Sequence, residues 1–132
     1  MERLHADDGF SLVELLTVIV IVGTLAAVSI PVFLNQRTSA FESAVASDVR
    51  NAGTTVESER VRNDEVPSAS DLDGLVDVSE HVTVFYAADG SGFCVHAVHD
   101  ELDGDVHGRY DSEGGFDADG DACAGADEVA SG

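Results

Sequence analysis

The sequence predicts an α+β fold in which a long N-terminal helix packs on a small antiparallel sheet. Three observations lead to this prediction. An uncharged apolar run occupies residues 15–34. A pattern with an apolar residue every three or four positions follows it, as a helix with one buried stripe requires. Beyond it, β-branched runs are separated by Gly-containing turns, which is typical of hairpin-linked strands.

The apolar run is long enough to cross a membrane. Its twenty residues would extend about 30 Å as a helix, which is the thickness of a bilayer core. This is too long for the apolar region of a secretory signal peptide. Gly23 and Pro31 interrupt the run, and proline removes a backbone donor and clashes with the preceding turn. We therefore expect a kink or local unwinding at residues 23–31.

The second half of the helix is predicted to be amphipathic and to lie against the sheet. Apolar residues recur at helical spacing at Phe41, Val45, Val49, Ala52 and Val56. Gly53 weakens this pattern locally. Pro67 follows soon after, and because the residue before a proline avoids helical geometry, we expect the helix to end near residue 63.

Residues 64–132 are predicted to form an acidic head with a sheet. A connection over residues 64–80 includes a possible short helix at 70–75. The predicted strands are 81–87, 92–99 and 106–111. One face of this sheet is expected to cover the helix and the other to be solvated. The last twenty residues are rich in Gly and Asp, and their structure is poorly predicted.

The charge of the chain is concentrated in this head. Residues 64–132 contain eighteen acidic residues against Arg109 alone, a net charge of −17, whereas residues 10–63 are nearly neutral. A surface of this sign repels phosphate backbones, so direct nucleic-acid binding is disfavoured. A solvated acidic surface is the simplest interpretation.

Residues 9–35 resemble the processing site and N-terminal helix of type IV prepilins. Gly9, Phe10 and Glu14 match the last leader residue, the first mature residue and the fifth mature residue of that family, and Pro31 lies where many members carry a helix-kinking proline. The resemblance implies a pilin fold with four segments: a leader at 1–9, a hydrophobic transmembrane or filament-core helix at 10–35, an amphipathic helix at 36–63 and a head at 64–132. The leader departs from the basic family norm, because it has no lysine, one arginine (Arg3) and three acids, namely Glu2, Asp7 and Asp8.

The resemblance also implies a function. The chain would be a structural subunit of a type IV pilus or pilus-like filament, cleaved after Gly9 and N-methylated on Phe10 by a prepilin peptidase/methyltransferase. It would polymerise with its own copies through the N-terminal helix, with the help of a pilus or secretion assembly machinery. A buried amine on Phe10 needs a negative partner, which Glu14 of a neighbouring copy would provide. The chain would cross the cytoplasmic membrane once, head outside, and then enter a cell-surface filament.

Two other functions compete with this one. The first is a pseudopilin of a type II secretion or DNA-uptake apparatus, although the acidic head argues against DNA. The second is a monomeric membrane-anchored extracytoplasmic binding domain, which would keep an uncut or unmethylated N-terminus and form no filaments. We find no glycine-framed nucleophile, no phosphate-binding loop and no recognisable acid pair, so the sequence favours neither an enzyme nor a bound cofactor.

Cysteine and metal-ligand spacing give two further expectations. Cys94 and Cys123 are an even pair, and in an exported head such a pair indicates a disulfide; the family often closes a C-terminal loop in this way. Acidic residues fall at the first, third, fifth and twelfth places of a calcium loop, at Asp117, Asp119, Asp121 and Glu128. Ala122 stands where such a loop needs glycine, so calcium is the less favoured interpretation.

Histidines give a further candidate for metal binding. Four of them lie in the head, at His81, His96, His99 and His107. His96 and His99 are three residues apart on a predicted strand. They should therefore point to opposite faces of the sheet and cannot simply share a metal ion.

Overall fold

The structure, a computed structural model, describes residues 10–103 and 105–132. The leader and Gly9 lie outside these described residues. The elements are a helix α1, a short 3₁₀ helix and five strands, namely α1 Leu12–Asn63, the 3₁₀ helix Ala69–Asp71, β1 Val82–Asp89, β2 Gly92–His99, β3 Arg109–Asp111, β4 Gly115–Asp117 and β5 Asp127–Ser131. The chain divides into a first unit that ends at Arg37 and a second unit, Thr38–Gly132, which we call the head unit.

Within the first unit, α1 is continuous through Gly23 and Pro31. The local unwinding that the sequence suggested there is not present, and a bend of the helix axis stays a prediction. Hydroxyl groups on this part of α1 bond to carbonyl oxygens of the preceding turn: Thr17 to Glu14 at 2.9 Å, Thr24 to Ile21 at 2.8 Å and Ser29 to Leu25 at 2.8 Å. These hydroxyls therefore satisfy their donors without a partner from outside the helix.

The head unit packs the amphipathic part of α1 against a five-stranded antiparallel sheet. The strand order is β4-β3-β2-β1-β5. The predicted apolar stripe supplies one side of the core through Val45, Val49, Ala52 and Val56, and the sheet supplies the other through Val82, Val84, Tyr86, Phe93, Val95 and Ala97. The α+β fold class predicted from the sequence is thus confirmed.

The predicted strands agree with the structure unevenly. β2 has the predicted bounds, but β1 begins at Val82 because His81 has a φ of 65°, in the left-handed region that a strand excludes. β3 is shorter than the predicted 106–111, and the helix predicted at 70–75 is a 3₁₀ helix at Ala69–Asp71. β4 and β5 were not predicted, since each is short and neither alternates clearly between apolar and polar residues.

The connection between α1 and β1 is held by two buried polar groups. Asp48 on α1 is 5% exposed and accepts the backbone N–H of Ser79 at 2.7 Å and its hydroxyl at 3.2 Å. The Tyr86 hydroxyl donates to the carbonyl oxygen of Pro67. Burial, with a smaller contribution from the Asp71 carboxylate, raises the pKa of Tyr86 to about 12, so this phenol stays protonated and remains a donor.

The helix–sheet interface requires a glycine at position 53. A Cβ atom placed on Gly53 would lie 2.6 Å from the Cγ atom of Tyr110, which is on β3. The ring therefore lies directly on the backbone of α1. One turn away, the Arg50 guanidinium sits 3.7 Å from the centre of the Phe116 ring on β4, a cation–π contact that holds the same edge of the sheet. The sequence indicated Gly53 only as a weak point of the helix.

We expect Gly53→Ala to destabilise the head unit by about 1–3 kcal/mol, because the added methyl group overlaps the Tyr110 ring and outweighs the better helix propensity of alanine. The control is Gly23→Ala, the same change where a Cβ atom meets nothing within 4 Å. Chemical denaturation in detergent micelles, followed by tyrosine fluorescence, measures both. Equal unfolding midpoints for the two variants would contradict this account of Gly53.

Candidate functional site

The N-terminal part of α1 presents an apolar surface that a single chain does not cover. Every large apolar residue from Leu12 to Leu34 is at least 50% exposed, and Phe10, just before the helix, is 86% exposed. Soluble monomers rarely expose contiguous apolar surface on this scale. By length and composition this part of α1 is able to cross a membrane. Lipid or other apolar helices would be suitable surroundings for such a surface.

Glu14 carries the only charged side chain between Phe10 and Gln36. It lies in the first turn of α1, where the helix dipole favours a negative charge. Phe10 precedes Glu14 by about one turn of helix. The structure contains one chain, so the pairing of Glu14 with Phe10 of a neighbouring copy stays a prediction.

The face of the sheet that points away from α1 carries a row of five residues, one from each strand. In strand order they are Asp117, Arg109, His96, Phe85 and Glu128, each the cross-strand partner of the next. Their sequence neighbours on β1 and β2 lie in the core under α1, and alternate residues of a strand point to opposite faces. We call these five residues the outer row.

Residues 118–126, which we call the crossover segment, connect β4 to β5 across the outer face. The segment has to span the sheet because β4 and β5 are its opposite edges, and its contacts with Cys94 and Arg109 place it on the outer face. Cys123 of the segment forms the disulfide with Cys94 of β2, with a Cα–Cα distance of 5.8 Å. A Cβ atom on Gly120 would lie 2.6 Å from Cβ of Arg109, so the backbone rests on that arginine. The predicted disulfide is confirmed, whereas the fully solvated outer face is not.

His96 is the member of the outer row that the crossover segment buries. It is 7% exposed, its ring stacks on Phe85 at 4.9 Å between ring centres, and its Nδ1 atom accepts the backbone N–H of Cys123 at 3.3 Å. Burial, and secondarily the positive charge of Arg109, lower the pKa of this imidazole. A neutral ring is also what the hydrogen bond requires, because only an unprotonated nitrogen accepts.

The other histidines are separated from His96. His99 points to the opposite face of β2, as expected, and stacks on Phe41 at 4.2 Å, with its Nδ1 atom accepting the N–H of Glu101 at 3.0 Å. His81 is about half exposed and lies 3.8 Å from Asp100. His107 is partly exposed in the loop before β3.

The structure does not bring the four calcium candidates together. Asp117 ends β4 and Glu128 lies in β5, at opposite edges of the sheet. The N–H of Asp119 donates to Oδ1 of Asp117 at 3.1 Å, so that carboxylate shapes a turn. Within residues 10–103 and 105–132, no group of three His, Cys, Asp or Glu side chains is arranged to hold a metal ion.

Sequence reasoning missed the outer row and the buried Asp48. The proximity of His96 to Cys94 was detectable, because these two residues are two positions apart in a correctly predicted strand and therefore share a face. The partners of His96 were not, since Arg109 and Cys123 reach it only through the strand register and the path of the crossover segment.

We expect the double variant Cys94→Ser/Cys123→Ser to lose about 3–4 kcal/mol of head-unit stability, because the bond closes a loop with a sequence separation of 29 residues. Denaturation of the full-length variant in detergent micelles measures the loss. Reduced wild-type protein is the matched control and should unfold at the same midpoint as the variant. An unchanged midpoint in both would show that the disulfide contributes nothing to stability.

Comparisons with known proteins identify a family motif in the N-terminal segment. Residues 4–30 match the family model described as "Prokaryotic N-terminal methylation motif". Two proteins named "Fimbrial protein", both from Pseudomonas aeruginosa, are 34% identical to this chain over 104 residues, which cover 78% of this chain and 66% of each relative. The match thus spans slightly less than two thirds of the relatives' length. No solved structure is a significant match.

Proposed function

This chain belongs to the type IV pilin-like proteins, and from that premise we propose that it is a structural subunit of a type IV pilus or a closely related filament. It is cleaved after Gly9, N-methylated on Phe10 and polymerised through residues 10–34. The observation that carries the proposal is the uncovered apolar surface of α1, from which only Glu14 projects as a charged group. The pilin family is structural and is not an enzyme family.

The physics of this apolar surface explains why a filament fits better than a simple anchor. Lipid tails already satisfy apolar side chains, so association of such helices depends on close packing and on polar pairs. The hydroxyl donors of Thr17, Thr24 and Ser29 are already bonded within α1. Glu14 remains, and a carboxylate in this position is costly unless it finds a cation. A plain anchor has no use for that group.

Cleavage after Gly9 creates the cation that Glu14 requires. The new α-amine on Phe10 is charged at neutral pH, and N-methylation leaves that charge in place. In a bundle of copies, Glu14 of one chain pairs with the amine of the next, which fixes the axial offset between them. Either charge buried alone opposes assembly by several kcal/mol, so the pair acts mainly by excluding wrong offsets.

The partners and location follow from the same proposal. A prepilin peptidase/methyltransferase processes the chain in the cytoplasmic membrane, with the head unit on the outer side. An assembly machinery then moves processed chains from lipid into the filament, where apolar neighbours replace the lipid around α1. The acidic residues of the head, with a net charge of −17 over residues 64–132, then form the outer surface of the filament and keep it solvated.

Removal of the Glu14 charge tests this proposal. We expect Glu14→Ala and Glu14→Gln to lower the yield of sheared filaments more than tenfold, because the Phe10 amine is left without a partner. Processed protein should still accumulate in the membrane. The measurement is an immunoblot of the sheared, sedimentable fraction and of the membrane fraction.

Glu42→Ala is the control, since it removes an exposed acid from the head-unit part of α1, and it should assemble normally. A normal filament yield from Glu14→Ala would contradict the proposed role of Glu14. A wild-type chain that stays uncut in the membrane and never sediments would instead support a monomeric anchored domain.

A further inference from the structure

His96 is the main polar link between the sheet and the crossover segment. Its Nδ1 atom accepts the N–H of Cys123 at 3.3 Å, and its ring is held against Phe85. In the neutral ring the proton must therefore sit on Nε2. Beside this hydrogen bond, the segment is attached by the Cys94–Cys123 disulfide and by the contact of Gly120 with Arg109. One of these attachments depends on a protonation state.

The charged groups around His96 disfavour a positive charge on its ring, because Arg109 already carries one beside it. Its cross-strand neighbour on β3 is Arg109. The nearby carboxylates contact Arg109 or lie further along the outer row. Asp111 lies 3.6 Å from Nε of Arg109. Asp117 is the cross-strand partner of Arg109, and Glu128 lies beyond Phe85 on β5. Residues Asp119 and Asp121 lie in the crossover segment itself. The charged residue next to His96 in the outer row is thus a cation.

Protonation of His96 would reverse its hydrogen bond with the crossover segment. Nδ1 would carry a hydrogen that points at the N–H of Cys123, so two donors would face each other. A buried imidazolium would also stand beside the Arg109 guanidinium, a like-charge pair that burial makes expensive. The strain is relieved if the crossover segment moves away and admits water. The disulfide limits this movement and keeps it reversible, because Cys123 stays tethered to Cys94.

We propose that the crossover segment is an acid-sensitive flap over the outer face of the sheet, closed by neutral His96 and opened when that residue is protonated. The pH window follows from the sign of the shift. The folded pKa of His96 lies below the ordinary value of 6.5, so its contribution to closure is complete above pH 6.5. That contribution is lost as the pH falls from 6.5 through the folded pKa. Opening exposes more of Phe85, His96 and Arg109 on a head whose net charge over residues 64–132 is −17.

Hydrogen exchange at the Cys123 amide tests the flap in the full-length chain in detergent micelles, where no filament is needed. After correction for the intrinsic exchange rate, protection of this amide should fall about tenfold between pH 7.5 and pH 5. His96→Gln should abolish the pH dependence, because a side-chain amide does not titrate between pH 5 and pH 7.5. His107→Gln, a change in a partly exposed loop histidine, should exchange like wild type.

A direct titration of the ring covers the case in which His96→Gln does not fold. Nitrogen-15 NMR of the wild-type histidines should show His96 as the Nε2–H tautomer at pH 7.5, titrating below 6.5. Cys123 protection that stays constant down to pH 5 would overturn the proposal, and so would a His96 ring that titrates at or above 6.5. Both results are independent of whether the chain forms filaments.

Discussion

An apolar helix that one chain cannot cover is the constraint on which the organisation of this protein depends. From Leu12 to Leu34 the large side chains remain at least half exposed, and lipid or other apolar helices would shield them from water. Glu14 is the one charged residue in this segment, and in the proposed filament it selects a neighbour that offers a cation. The head unit has a different constraint: it must fold around its own core and stay soluble at high negative charge.

In the head unit, α1 and the crossover segment cover the two faces of one small sheet. The helix contributes the apolar stripe that includes Val45 and Val56, together with a gap at Gly53 into which Tyr110 fits. The crossover segment contributes little apolar surface and is therefore attached by covalent and polar means, through Cys123 and its contact with His96. Both faces of the sheet, including the short strands β3 and β4, therefore have neighbours in the chain.

The sequence predicted well wherever a strong local signal existed. The apolar run, the helical stripe and the alternation in β2 are periodic patterns, and they led to the correct fold class and to the end of α1 at Asn63. Short segments without periodicity were missed, notably β4 and β5. Asp48 looked like an ordinary surface acid, and its burial under Ser79 depends on a loop contact 31 residues away. Local sequence patterns do not reveal such long-range contacts.

The calcium pattern, which was the less favoured interpretation because Ala122 stands where glycine is needed, shows that spacing along the chain need not bring residues together in the fold. A calcium loop requires its first and twelfth ligands to converge on one ion. Here the corresponding residues, Asp117 and Glu128, belong to the two edge strands and end a row that spans the whole sheet. Their acidity keeps the edges of the sheet charged, which discourages pairing with other strands.

The intact mass of protein sheared from the cell surface tests the central claim most directly. A processed subunit should lack the nine leader residues and begin with Phe10. Compared with the unmodified, reduced chain of residues 10–132, its mass should be higher by about 14 Da for one methyl group and lower by about 2 Da for the Cys94–Cys123 bond. That species should occur in a sedimentable filament fraction. A full-length mass confined to the membrane would contradict the claim that this chain is a processed filament subunit.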